Sequence, residues 1–137
     1  MAVDFSHWSQ KLVEHAFRLR TLIGATIYLV YVIEATCTME AALREAYFSE
    51  SLSRMRDWAM NQFVNLTPTE WISDQEVHRI VDVGRPGATI AQVAKGVRAD
   101  LVMVGLQDHS RTEKRLIDAH TEQLLRNEGT TILTLPA

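Results

Sequence analysis

After Ser6, apolar residues recur at steps of three and four. Trp8, Leu12, Ala16, Leu19 and Ile23 fall on one face of a helix, with Ser6 as its N-cap and Gly24 as its stop. The next stretch, Ala25 to Ile33, loses that period. It is β-branched, aromatic and almost continuously apolar, as a strand buried on both faces is. Met39, Leu43, Phe48, Leu52, Met55, Ala59 and Phe63 restore a helical stripe, which Pro68 closes. Trp71 to Asp74 fit neither pattern. Glu76 to Val83 read as a strand, Gly84-Arg85-Pro86-Gly87 as a loop, and Ile90, Val93, Ala94 and Val97 as a short helix. Asp100 to Leu106 form another buried strand, and Gln107 to Lys114 a polar loop expected to be mobile. Leu116, His120, Leu124 and Asn127 mark a last helix ended by Gly129, and Thr130 to Leu135 a final strand ended by Pro136. Met1 to Asp4 form a short apolar lead, a first strand cut short.

Strands that alternate with helices imply parallel pairing through right-handed crossovers. The expected fold is therefore α/β: a single three-layer, doubly wound domain over residues 1–137, of flavodoxin-like or Rossmann-like type. Its five-stranded, mostly parallel sheet would carry helices on both faces, with any ligand at the carboxyl ends of the strands.

Composition narrows the function. With 137 residues, 47% apolar and 23% charged, the chain can bury a core and is not disordered. A net charge of −3 gives no field to hold nucleic acid. The run from Ala25 to Ile33 is too short to span a membrane, so no membrane insertion is expected. One cysteine, Cys37, and no secretory leader agree with a reducing, cytoplasmic location. His7, His15, His78, His109 and His120 form no H-E-x-x-H set, there is no C-x-x-C, and His109-Ser110 lacks the elbow of a nucleophile. Neither a catalytic residue nor a metal site is expected, and the chain reads as a non-enzyme.

Three segments resemble the universal stress protein family. They are Ala2-Val3-Asp4-Phe5-Ser6, the run from Val83-Gly84-Arg85-Pro86 through Ile90 to Asp100-Leu101-Val102-Met103-Val104-Gly105, and Thr121-Glu122-Gln123-Leu124-Leu125-Arg126 followed by Thr131 to Pro136. The resemblance covers nearly the whole chain, although residues 34 to 75 add little, and the family's first strand is usually longer.

The nucleotide-binding branch of that family carries G-x-x-G, nine residues, then G-S or G-T. Such glycines let backbone N–H groups approach phosphates, and the hydroxyl adds a donor. Here the corresponding positions are Gly105, Asp108, Asp118 and Ala119. The spacing survives, but two glycines are aspartates and the hydroxyl is a methyl. The resemblance also places Asp4 near an adenine, the Val32 backbone beside the base, and Gly84 near the ribose or phosphate. Each has a plainer reading: Asp4 as a helix-capping carboxylate, Val32 as core, Gly84 as a turn glycine. Arg111, Lys114 and Arg115 are balanced by Asp108, Glu113 and Asp118.

The expected function is a universal-stress-type domain acting by dimerisation and partner contacts, with no cofactor and no tight ATP binding. The alternative is an ATP-binding module, metal-dependent through its aspartates. A receiver domain or flavin carrier is a distant third, since no acidic phospho-acceptor follows Val83. Thr131, Ile132, Leu133, Thr134 and Leu135 form an apolar terminal strand without a Lys or Glu gatekeeper. Similar family members pair this strand with its symmetry mate, which implies a C2 homodimer. The further protein partner stays unidentified.

Overall fold

The computed structural model describes residues 1–34, 46–105 and 131–135. Helix α1 covers His7–Ile23 and stops at Gly24, whose φ of 66° is the left-handed conformation a helix terminus asks of glycine. Strand β1 is Ile27–Glu34, helix α2 Ala46–Leu66, strand β2 Val77–Gly84, helix α3 Pro86–Gly96, strand β3 Leu101–Gly105 and strand β4 Thr131–Leu135. A 3₁₀ turn, Thr69–Trp71, leads into the stretch that fitted neither period, overlaps it only at Trp71, and buries that residue.

Among the described residues all pairing is parallel. β1 pairs with β2 from Ile27 opposite Val77 to Glu34 opposite Gly84, and β3 pairs with β4 from Leu101 opposite Thr131 to Gly105 opposite Leu135. These are two two-stranded sheets. The opening residues lie between them. Ala2 bridges Val30 in parallel; Val3 N–H donates to Val30 O and Val30 N–H to Met1 O, both at 2.9 Å. On the other side, Ala2 N–H donates to Met103 O at 3.0 Å. In a flavodoxin order the third strand would lie beside the first; here β2 lies beside β1 instead. The opening residues form a bridge rather than a full strand, as the short lead suggested.

Two apolar clusters sit on opposite faces of these strands. Leu12, Val13 and Ala16 of α1 and Phe63 of α2 pack on Val3, Leu29, Val77 and Met103. Ala94 of α3, with Ile90 beside it, packs on Val102 and Val104. Helices therefore cover both faces, which is why β1 and β3 read as continuous apolar runs. Burying a side chain such as Phe63 contributes ~1.5–3 kcal/mol.

Several boundaries differ from the sequence reading. Gly84 to Gly87 is not all loop: Pro86 opens α3, because its fixed φ suits a first helical turn and its missing N–H costs nothing there. α3 ends in a six-to-one and five-to-two pair, Ala99 N–H to Ala94 O and Arg98 N–H to Lys95 O, with Arg98 at φ 53°. Ile23 ends the stripe of α1 but is 72% exposed, and Met55 of the α2 stripe is 43% exposed. An ion pair of 2.6 Å between Arg20 and Asp74 ties the last turn of α1 to the turn before β2. Met39, Leu43, the loop from Gln107 to Lys114, the helix from Leu116 to Asn127, and Pro136 lie outside the described residues.

Candidate functional site

Asp4 follows the opening segment directly, and its carboxylate is engaged. Oδ1 accepts the Ser6 N–H at 2.9 Å and the Ser9 hydroxyl at 2.7 Å, while Ser9 Oγ accepts the Asp4 N–H at 3.0 Å. Burial works against the charge of Asp4, but the hydrogen bonds from Ser6 and Ser9 outweigh it and hold the carboxyl below its ordinary value. Ser6 has the extended backbone of an N-cap, yet its side chain makes no cap bond. Asp4 and the fully buried Ser9 satisfy the start of α1 in its place. Ser9 has no precedent in the sequence reading. Its only signal is a polar residue on an otherwise apolar helix face.

Between them, Phe5 takes φ 61°, a left-handed conformation that a bulky residue rarely adopts. Its ring lies 4.7 Å from that of Tyr31, 5.1 Å from Phe63 and 5.5 Å from Trp58. Trp58, off the helical stripe of α2 and 49% exposed, therefore packs against Phe5 and Tyr31. Burial raises the Tyr31 phenol above its usual pKa, and the charge of Asp4 adds to it.

The other expected positions gather at the same end. Val32 follows Val30 by two, so its peptide groups face the side of the opening segment, towards Asp4. Gly84 stands opposite Glu34 at the end of β2. Its φ is 154°, and a Cβ there would meet Thr89 Oγ1 at 2.6 Å, so the buried Thr89 already fills the space that the glycine leaves. Gly105 ends β3 against the first turns of α1, with Leu12 Cδ1 3.4 Å and Trp8 Cβ 3.6 Å from where its Cβ would stand. Asp108, Asp118 and Ala119 lie outside the described residues.

In β4, Ile132 packs towards the α3 cluster and Leu135 towards the α1 cluster, while Leu133 is 37% exposed. β4 pairs with β3 on one edge, and no strand lies on its other edge among the described residues.

A cavity of about 570 Å³ opens at the amino ends of β1 and β3, away from all these positions. Among the described residues, no cluster of His, Cys, Asp or Glu is placed to hold a metal ion, and no helix is long and apolar enough to cross a membrane.

The family profile of the universal stress protein family matches residues 1–133. No curated protein matches the chain by sequence. Among solved structures, the hypothetical protein MJ0577 superposes with a TM-score of 0.78 at 20% identity, covering 99% of this chain and 92% of that one. A universal stress protein in complex with cAMP gives 0.61 at 20% identity, covering 99% and 93%. Universal stress protein UspA from Lactobacillus plantarum gives 0.61 at 20% identity, covering 98% and 93%.

Proposed function

The chain belongs to the universal stress protein family, and from that premise we propose that it acts in a stress response by pairing with a second copy and contacting a protein partner. It does so in the cytoplasm, without catalysis and without tight ATP binding. The observation that carries this reading is the carboxylate of Asp4. One oxygen of the group that the family resemblance places near an adenine, Oδ1, is engaged by Ser6 and Ser9 at the start of α1.

The sequence adds to it. ATP brings about four negative charges, and a carboxylate about 4 Å from one of them repels it by ~1 kcal/mol even in water. Asp108 and Asp118 both stand at phosphate-cradle positions. Several such pairs offset much of the roughly −8 kcal/mol of a micromolar complex. A Cβ at each site also keeps phosphate from the backbone, and Ala119 has no hydroxyl to donate.

The sheet reading behind this is five strands in the order β2, β1, Met1–Val3, β3, β4. It is supported by the hydrogen bonds of Ala2 and Val3 to both neighbours. In that order β4 is an edge whose outer N–H and C=O groups suit a symmetry mate. Sedimentation of the purified chain should give a dimer, and Leu133→Lys a monomer. A dimer that survives Leu133→Lys places the interface elsewhere.

A second reading, an adenine-nucleotide module bridged by a divalent cation, has two observations in its favour. Asp4, Val32, Gly84 and Gly105 gather at one end of the strands, and a structural relative was solved with cAMP. The two readings separate on substitution. Asp108→Gly, Asp118→Gly and Ala119→Ser together should raise ATP affinity at least tenfold if the cradle alone is spoiled; if the parent already binds ATP in the presence of Mn²⁺, the second reading holds.

A further inference from the structure

The outer edge of β2 is open along its middle. Ile27 N–H donates to Glu76 O at 2.8 Å, so in this parallel ladder His78, Ile80 and Asp82 also turn their peptide groups to β1. Val77, Arg79, Val81 and Val83 turn theirs outward. At the two ends the outer N–H groups are met locally: Val77 N–H donates to Asp74 O at 3.2 Å and Val83 N–H to Asp82 Oδ1 at 2.8 Å. The outer groups of Arg79 and Val81 meet no partner among the described residues. The Arg79 guanidinium donates to Trp71 O at 2.9 Å. Edges are usually blunted by a proline, a lysine or a bulge. β2 has none of these over its eight residues, and its register with β1 is unbroken. On one face, α2 lies over β1 and β2. Trp58 contacts Phe5, so it lies on the flank of α2 turned to the opening segment. Met60, about 200° further round the helix, lies with Val64 on the other flank, above the free edge. Both are exposed, at 42% and 45%.

We propose that this edge pairs antiparallel with the same edge of a second copy, about a two-fold axis through Ile80. Charge chooses the register. Antiparallel pairing sets outward residue against outward residue, so on the open stretch the axis passes through Arg79, Ile80 or Val81. An axis through Arg79 sets two arginines against each other, and one through Val81 sets Asp82 against Ile80. The axis through Ile80 sets His78 against Asp82 on both sides and Ile80 against Ile80. It also lets Arg79 of each copy exchange both backbone hydrogen bonds with Val81 of the other. His78 is exposed, and its ring is stacked on Tyr28 at 4.6 Å, which holds it in place to donate to the opposing carboxylate. The helices agree with this axis. Strands lie ~4.8 Å apart, so two copies of α2, each above β1 and β2, come ~10 Å apart, a helix-packing distance. Met60 and Val64 then face their counterparts instead of water. The contact is short and of the weak, transient class. It therefore adds to pairing through β4 at high protein concentration, joining dimers end to end, and does not replace it.

The test is disulfide trapping with diamide, on the 137-residue protein carrying Cys37→Ser so that each added cysteine stands alone. A non-hydrogen-bonded residue on the axis lies ~4.5 Å from its counterpart, within reach of a disulfide. The counterpart of Val81 lies two residues further along the opposing strand, beyond the ~7 Å limit. Ile80→Cys should therefore cross-link at least tenfold faster than Val81→Cys. A mixture of His78→Cys and Asp82→Cys proteins should cross-link to each other, and neither should do so alone; this pair also carries the test if Ile80→Cys fails to fold. Adding His78→Asp, which sets two carboxylates against each other, should slow the Ile80→Cys cross-link at least fivefold. The cross-link should persist with Leu133→Lys, so this contact and pairing through β4 stand or fall separately. Absence of cross-linking by both Ile80→Cys and the mixed pair at millimolar protein overturns the proposal and leaves the edge to a different chain. Val81→Cys cross-linking as fast as Ile80→Cys overturns it too, because the axis would then lie elsewhere.

Discussion

The hydroxyl of Ser9 donates to the carboxylate of Asp4 at 2.7 Å and accepts the Asp4 backbone N–H at 3.0 Å, so the two residues close a reciprocal pair across the first turn of α1. The pair resembles a capping box displaced by two residues: the carboxylate sits before the N-cap and the hydroxyl at the third helical position. Ser9→Ala should destabilise the fold by ~1–2 kcal/mol, because it leaves a backbone donor unpaired and removes one partner of the carboxylate. The sign with pH follows from the direction of the shift. Asp4 is depressed in the folded state, so its contribution is present above the unfolded-state value and is lost as pH falls through the folded-state value. Urea melts between pH 2 and 5 should show a shallower acid loss for Ser9→Ala than for the parent.

Phe5 makes a second, backbone-level prediction. Its φ of 61° costs ~1–2 kcal/mol for a residue with a Cβ, and its ring contacts with Tyr31, Trp58 and Phe63 outweigh that cost. Phe5→Ala removes the contacts and keeps the strain, while Phe5→Gly removes both. Phe5→Gly should therefore be the less destabilised of the two by ~1 kcal/mol, the reverse of the usual order for the two residues. Chemical denaturation of the two variants side by side decides it.

The parts of the fold that the sequence makes legible are those where one interaction dominates. β1 and β3 are buried on both faces, so their apolar runs could be nothing but inner strands of a layered sheet. Gly24 stops α1 because only its left-handed φ is needed there. What stays hidden depends on partners distant in sequence. Ile23 keeps the period of its helix but stands exposed at the helix's last position. Ser6 has the right identity and backbone for a cap, yet the left-handed turn at Phe5 brings the carboxylate of Asp4 over its N–H instead. Gly84 belongs to a motif, but Thr89 decides the space around it.

The claim on which the functional reading turns is that this domain has lost tight ATP binding. Isothermal titration of the purified chain with ATP, with and without Mg²⁺ or Mn²⁺, tests it most directly. The expected result is no saturable heat below about 1 mM, a binding free energy weaker than ~4 kcal/mol. A dissociation constant in the low micromolar range would contradict it, and would mean that the phosphates are held by groups other than a glycine cradle.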